Sequence, residues 1–536
     1  MEGGLERLNR ESAQGCINAG EDVTEEQLAG LAGGDSVDRQ YAALALFKTR
    51  LRQAVDALGQ LGLAQDFTDQ RTIDLLEQLA KMASNEAPLV EGMKRLGLRA
   101  AAAGDFERAA QLLEGMANRA AMIGQRQDAR SRAAMRYLHD REVDTAYAEL
   151  ARRLPNVTAR PSSSSPLRVA MLVSGIVDDN SGSRVAAAIV RGLRELGHDV
   201  RFVSTEHVPS AQGRFPAILE AEGIPFVRAD TGGHETRARS LLMKLQADPV
   251  HVTLYLTFPM DAVAKLVACA GLSDAQVFMN TSYEQFCGRF DAILQTVSEA
   301  QITTSVRPDI SRFVGTGLIA GSAIDAALAE SRAQFGVAQD QMLLGTYGRL
   351  QKCCEPGYMH AVARILQERP QAILLLAGPA YDQEVSVLSS HFQAAGVAER
   401  VRFLGPREND VPGLLKATDV YLDSFPFPGA QSILEAMWAG CAVVGMRTVT
   451  DAALDPSGTG PTTATAEVFL GDDYVLARGG DVDEYVRLAL GFIDEPIKRR
   501  AAGDALAARA RALFDFGQWI GRINAALLEA VGAHGL

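Results

Sequence analysis

The period of the hydrophobic pattern changes once along the chain. In residues 1–154 apolar positions recur at helical spacing among Ala, Leu, Arg, Glu and Gln. No β-branched run interrupts them, and no proline falls between Pro88 and Pro155. Two helical patterns, 96–103 and 106–116, meet at Gly104-Asp105, and Ala109 and Ala110 let neighbouring helices approach closely. Residues 155–166, with Pro161-Ser162-Ser163-Ser164-Ser165-Pro166, cannot build a core and read as a linker. Beyond it the rhythm becomes that of buried strands. Residues 167–173 form a near-continuous apolar run, followed by a polar loop over 174–182, a helix over 183–196 and a strand over 199–203. This is a βαβ unit. Further strands are expected at 250–256, 275–279 and 291–296.

A second series begins with a strand at 342–347, then a loop to 357 and a helix over 358–368. Strands at 372–377, 401–404, 420–423 and 442–445 continue it, with a helix over 432–438 before the last. The pattern predicts an α/β protein: an all-α region (1–154), the linker (155–166) and two Rossmann-like domains (167–325 and 326–515). A C-terminal helix (516–536) is expected to cross back onto the first of them. The cleft between the carboxyl edges of the two sheets is the expected site.

Composition narrows the function. Of 536 residues, 47% are apolar and 22% charged, which suits folded cores and not disorder. Sixty-six acidic against 53 basic residues give a net charge of −13, so broad nucleic-acid binding is not expected. Met1-Glu2-Gly3-Gly4 has no basic or apolar leader character, and no apolar run reaches the about 18 residues of a membrane span. Six cysteines without a CxxC pair suit a reducing compartment, and a cytoplasmic location is expected.

Two loops carry donor-type chemistry. In Gly348-Arg349-Leu350-Gln351-Lys352 the glycine allows close backbone approach, and Arg349 and Lys352 supply positive charge suited to a diphosphate leaving group. In the second, a buried strand runs through Asp423-Ser424-Phe425-Pro426-Phe427-Pro428-Gly429 directly into a helix bearing Gln431, Ser432 and Glu435. The free N–H groups at that helix start favour phosphate. Glu435, one turn in, can accept two hydrogen bonds from a ribose diol, or simply complement the helix dipole.

From 167 to 530 the chain resembles nucleotide-sugar glycosyltransferases of the two-domain GT-B type. The resemblance rests on Gly348-Arg349-Leu350 with Lys352, the strands 372–378 and 401–405, and the run from Glu435 to Val444. It implies that Arg349 and Lys352 address the donor phosphates, Glu435 the ribose, and Gly429 to Ser432 the pyrophosphate. The large retaining branch carries two glutamates eight positions apart; here Phe427 stands eight before Glu435, so an inverting transfer is expected. The phrase from Leu422 to Phe427 with Trp438-Ala439-Gly440 is similar to relatives of O-GlcNAc transferase and bacterial asparagine glucosyltransferases. In that motif the helical acid is Asp and the turn holds a His and Thr pair, where this chain has Glu435, Ala430 and Gln431. Members often have a helical acceptor-binding region, and the 96–116 pair is similar to one tetratricopeptide-like hairpin. A protein acceptor docked by residues 1–154 is therefore expected, with a UDP-linked donor and no separate cofactor. A plain packing bundle, or one that holds a homo-oligomer together, fits the helical pattern equally.

The acceptor side is less defined. The loop Ser174-Gly175-Ile176-Val177-Asp178-Asp179-Asn180-Ser181-Gly182-Ser183 follows the first strand and faces the expected cleft. Asp178 or Asp179 is a candidate base or a capping residue, and Ser181, Gly182 and Ser183 are candidate donors to phosphate or sugar. His207 and His234 follow other strands and are further bases or ordinary surface histidines. Asn280 can contact sugar or acceptor. No spaced metal-ligand set is evident, so metal-independent catalysis is expected. Transfer to a lipid-linked glycan, polysaccharide or small molecule, a sugar-nucleotide epimerase, and a non-catalytic scaffold remain open.

Overall fold

The computed structural model describes residues 87–124, 140–161, 166–178, 181–210, 214–280, 288–296, 305, 307–338, 340–407, 410–447, 466–471 and 473–532. Among the described residues three helices come first: α1 (Ala87–Ala103), α2 (Phe106–Gly124) and α3 (Arg141–Ala151). Gly104, at φ +80°, makes the turn between α1 and α2. Asp140 starts α3 by accepting from the N–H groups of Glu142 and Val143. The apolar faces of these helices do not close on one another alone. Phe106, Leu113, Met116, Tyr147 and Leu150 share one core with Leu241, Leu245, Val263 and Leu266 of the α/β unit that follows. The helical region is thus built into its neighbour. The first part of the expected linker is pinned as well: the N–H groups of Thr158 and Ala159 donate to Gln246 Oε1 (2.7 and 3.2 Å), and Arg160 pairs with Asp274.

The first sheet is built from β1 (Arg168–Val173), β2 (Asp199–Ser204), β3 (Phe226–Arg228), β4 (Val252–Leu256), β5 (Ala275–Asn280), β6 (Ala292–Gln295) and β7 (Ser311–Phe313). Between them run α4 (Ser181–Glu195), α5 (Arg214–Ala221), α6 (His234–Ala247) and α7 (Ala262–Ala270). All strands are parallel, in the order β3-β2-β1-β4-β5-β6-β7. Met171 of β1 lies opposite both Phe202 and Leu254, and every residue from Val169 to Val173 is buried. A strand covered on both faces reads as an unbroken apolar run. β3 and β7 are additions to the expected strands. Each is a three-residue edge strand with partly exposed positions, including Arg228 and Arg312, so no apolar run announces it.

After α8 (Gly321–Ala326) the second sheet takes β8 (Met342–Tyr347), β9 (Ala372–Ala377), β10 (Val401–Gly405), β11 (Val420–Leu422) and β12 (Ala442–Val444). Its helices are α9 (Pro356–Glu368), α10 (Asp382–Ala394), α11 (Val411–Ala417), α12 (Ala430–Trp438), α13 (Ala466–Leu470), α14 (Val482–Asp494) and α15 (Pro496–Leu513). The order is β10-β9-β8-β11-β12, again all parallel. Then α16 (Phe516–Gly532) returns to the first sheet, where Trp519, Ile520, Ile523 and Leu527 pack with Met171, Leu254 and Leu294. Two Rossmann-like parallel sheets behind an all-α region make this a GT-B architecture. The strand order reverses between β1 and β4 and between β8 and β11, and crevices at the carboxyl edges of such switch points bind ligands.

Residues 314–325, the first part of the connection from β7 to β8, lie between the chain's two tryptophans. Trp519 donates Nε1–H to the Gly315 carbonyl (2.8 Å), and its ring covers Gly317, where a Cβ would stand 2.5 Å from Cε3. From the other side Trp438 donates Nε1–H to Asp325 Oδ1 (3.1 Å), with its ring against Gly321. Among the described residues no helix is long and apolar enough to cross a membrane.

Candidate functional site

Both donor-type loops flank the β8/β11 switch point. Past β8, Gly348 takes φ +150° and its carbonyl presses on Gly378, where a Cβ would stand 1.8 Å from the Gly348 oxygen. Only glycine fits at 378, itself at φ +146°. Arg349 follows, exposed, and among the described residues no hydrogen bond or ion pair engages its guanidinium. Lys352 lies in a short 3₁₀ turn, Leu350–Cys354, and is partly buried. Its Nζ donates to the Pro428 carbonyl (2.8 Å), so the two loops are joined across the switch point.

The turn after β11 is organised by Asp423. Its Oδ1 accepts from the Gly429 N–H (2.9 Å), and its carbonyl accepts from Tyr485 Oη (2.8 Å). Ser424 Oγ donates to the Phe427 carbonyl (2.7 Å), the Phe425–Pro426 bond is cis, and Phe425 packs on Tyr358 and Tyr485. Burial pushes the Asp423 carboxyl up to about 7, against the Gly429 N–H bond and the Lys352 charge. Burial likewise pulls the Lys352 ammonium below its usual range, helped by Arg349 and opposed by Asp423. An added anion at this point relieves the crowding of cations.

Helix α12 begins straight after Gly429, and no side chain caps it. Ser432 Oγ lies under Gly429, where a Cβ would stand 2.1 Å from it, and is hydrogen-bonded with Tyr421. Backbone N–H groups, more than that hydroxyl, are what this helix start offers a phosphate. Gln431 turns to the interdomain segment: Nε2 donates to the Gly317 carbonyl (3.1 Å), and Oε1 is buried without a partner. Glu435, partly buried, faces Arg184 of α4 in the other domain; burial pushes its carboxyl up to about 7 and Arg184 opposes the rise.

On the acceptor side Asp178 Oδ1 accepts from the Phe215 N–H at the start of α5 (2.7 Å). Asp179 lies outside the described residues. Ser181 and Gly182 open α4, and Ser183 Oγ accepts from the Val177 N–H (3.1 Å), tightening the loop between β1 and α4. Asn280 ends β5 inside a polar ladder: Nδ2 donates to Gln295 Oε1 (2.8 Å), Gln295 Nε2 donates to Ser311 Oγ (3.2 Å), and Asn280 Oδ1 is buried without a partner.

His207 and His234 meet two glutamates of α2 that the sequence reading did not single out. Glu114 Oε1 lies 2.9 Å from His207 Nδ1, and Glu114 Oε2 lies 2.9 Å from His234 Nε2. Glu107 Oε1 lies 2.6 Å from His234 Nδ1. Their seven-residue spacing, two helical turns, is the available signal, and it reads equally as a solvated face. Glu114, His207 and Asp261 also group their ligand atoms within 4.8 Å, as a divalent ion would need. Here protons already fill the group: Thr205 Oγ1 donates to Asp261 Oδ2 (2.5 Å), and the Ala264 N–H to Oδ1 (2.9 Å).

The family model described as "Glycosyl transferases group 1" matches residues 343–470, the part of the chain that holds both donor-type loops. Among solved structures, Anabaena HepE in complex with UDP and glucose is similar at 18% identity, over 68% of this chain and 100% of that one, with a TM-score of 0.53. Sucrose-phosphate synthase from Thermosynechococcus elongatus is similar at 13% identity, over 69% and 100%, with a TM-score of 0.51. A Thermobaculum terrenum O-GlcNAc transferase covers 98% of this chain and 99% of its own at 17% identity, with a TM-score of 0.48, too slight a likeness to support the narrower resemblance. No curated protein matches the chain significantly by sequence.

Proposed function

We propose that the chain is a glycosyltransferase that moves a hexose from a UDP-linked donor to a hydroxyl of a sugar, glycan or other small acceptor. The observation that carries this reading is the Lys352 Nζ bond to the Pro428 carbonyl, which joins the loop bearing Arg349 to the uncapped start of α12 at the β8/β11 switch point. As the bond from the anomeric carbon to the diphosphate oxygen breaks, negative charge grows on the diphosphate. Two cations, one of them held by the Pro428 carbonyl, and a row of N–H groups stabilise it. Glu435 takes the ribose hydroxyls. The acceptor oxygen attacks the anomeric carbon and gives up its proton to a base, for which Asp178 and Asp179 are the candidates of this reading; His207 is already paired with Glu114.

UDP as the carrier is supported by the likeness to HepE, which holds UDP and glucose. A small or glycan acceptor is favoured over the protein acceptor expected from sequence, because sucrose-phosphate synthase is among the likenesses with a TM-score above 0.5 and the O-GlcNAc transferase is not. A protein acceptor is the second reading, favoured by the way α2 leans on the carboxyl edge of the first sheet.

Calorimetry with UDP, GDP and dTDP, followed by mass analysis of candidate acceptors mixed with the matching nucleotide sugars, tests both readings. UDP binding with addition of one hexose mass to a sugar acceptor is expected. Failure of all three nucleotides to bind overturns the donor site, and addition to polypeptides alone selects the second reading.

A further inference from the structure

One carboxylate of the helical region touches three loops of the first sheet. Glu114 Oε1 accepts from His207 Nδ1 (2.9 Å), after β2, and from the Ala262 N–H (3.2 Å), after β4. Its Oε2 accepts from His234 Nε2 (2.9 Å), after β3. Glu107, two turns earlier, completes the grip. Its carboxylate accepts from the N–H groups of His234 (2.9 Å) and Glu235 (3.3 Å), and so caps α6, whose own Gly233 offers no side chain. The spot is cramped: a Cβ on Gly233 would stand 2.6 Å from the Glu107 carboxylate.

The loops held this way lie at the carboxyl edge of the sheet. The loop after β4 is tied in turn to the loop after β1, since the Phe258 N–H donates to Ser174 Oγ (2.9 Å). Val208, next to His207, donates its N–H to the Ser174 carbonyl (2.9 Å). We propose that Glu114 is a positioning residue through which the helical region fixes the three loops after β2, β3 and β4, setting the geometry of the acceptor side of the cleft. The acceptor-side assignment rests on the glycosyltransferase reading above; the fixing of the loops does not.

Proton placement makes the grip sensitive to pH. Both ring nitrogens of His234 face carboxylate oxygens, so both must donate and the ring is an imidazolium. Burial lowers the pKa of His234, but the charges and hydrogen bonds of Glu114 and Glu107 outweigh it and raise it overall. His207 faces Glu114, Asp261 and Arg237; burial and Arg237 lower its pKa, and the two acids raise it overall. Burial opposes the Glu114 charge, yet the two histidines hold its carboxyl far below the usual range. A raised histidine stabilises fully below its free value of about 6.5 and loses the effect as pH rises through its folded value. A lowered carboxylate stabilises above its free value of about 4.3 and fails only toward strong acid. The grip is therefore firm from about pH 4.5 to 6.5 and slackens above.

Hydrogen exchange on the full chain tests this, with rates corrected for intrinsic pH dependence. In Glu114→Gln, peptides covering 205–210, 230–238 and 257–264 are expected to exchange at least tenfold faster at pH 6, with 342–377 unchanged. Raising the pH from 6 to 8.5 is expected to loosen the three loops in the wild type, and in the variant to change 205–210 and 257–264 little while Glu107 alone still ties 230–238 to pH. His234→Gln, a milder change that decides the matter if Glu114→Gln does not fold, is expected to loosen 230–238 more than 205–210. Unchanged loops in the variants, or equal loosening of β1 and β5, overturns the proposal. UDP binding by the same wild-type protein separates the two ideas: no binding defeats the donor reading, while the exchange result still decides the role of Glu114.

Discussion

Lys352 reaches across a strand-order reversal to the carbonyl of Pro428, 2.8 Å away, and so joins the two loops of the proposed donor site. Arg349 carries no such duty. Arg349→Ala is expected to weaken UDP binding at least tenfold, about 1.4 kcal/mol, with an unchanged melting temperature. Lys352→Ala is expected to weaken binding by at least as much and also to lower the melting temperature, because the Pro428 carbonyl loses its donor. Calorimetry and thermal melting of the two proteins check the contrast.

On the proposed reading, Glu435 makes donor binding a proton-linked event. Burial pushes its carboxyl up to about 7, and the charged form is the one that accepts from two hydroxyls. Affinity for UDP-glucose is expected to rise as pH passes 7, and binding at pH 6.5 is expected to release a proton into the buffer. Glu435→Gln removes both effects. Calorimetry in buffers of different ionisation enthalpy measures the release directly. The raised value also means that this group's contribution to stability declines as pH rises from about 4.5 to 7.

Gly378 is set by its neighbour. A methyl group there meets the Gly348 carbonyl oxygen at 1.8 Å in a backbone conformation that side chains rarely adopt. Gly378→Ala is expected to cost roughly 3 kcal/mol and to shift the loop that carries Arg349. Denaturant unfolding reads the first effect and UDP affinity the second. A protein of wild-type stability would show that the two loops do not meet as described.

Truncation to residue 167 is expected to damage the first sheet rather than release it intact. Leu241, Leu245, Val263 and Leu266 share their core with α1–α3, and losing the partners of buried leucines costs about 1.5–3 kcal/mol each. The shortened chain is expected to aggregate or to melt well below the full protein, and light scattering with melting curves decides it. A shortened chain that stays monodisperse with an unchanged melting point contradicts the shared core.

Much of the fold was legible because central parallel strands leave continuous apolar runs, as in Val169 to Val173 or Ala372 to Ala377. Edge strands leave none. β3 and β7 are short, partly exposed and contain arginine, so only their pairing with β2 and β6 defines them. The two donor-type loops were legible because the glycines and prolines that shape them are local signals. Glu107 and Glu114 were not: their partners lie about 90 to 150 residues away in sequence, and nothing near them distinguishes a buried grip from a solvated helix face. The interior position of Asn280 was hidden for the same reason, since its ladder partners belong to other strands.

The segment between the sheets is held by both indoles in the chain, one carried by α12 and one by the returning α16. Any rotation of one domain against the other that shifts this segment is expected to change the ultraviolet emission with no attached dye, and Trp438→Phe and Trp519→Phe assign the signal to one side or the other.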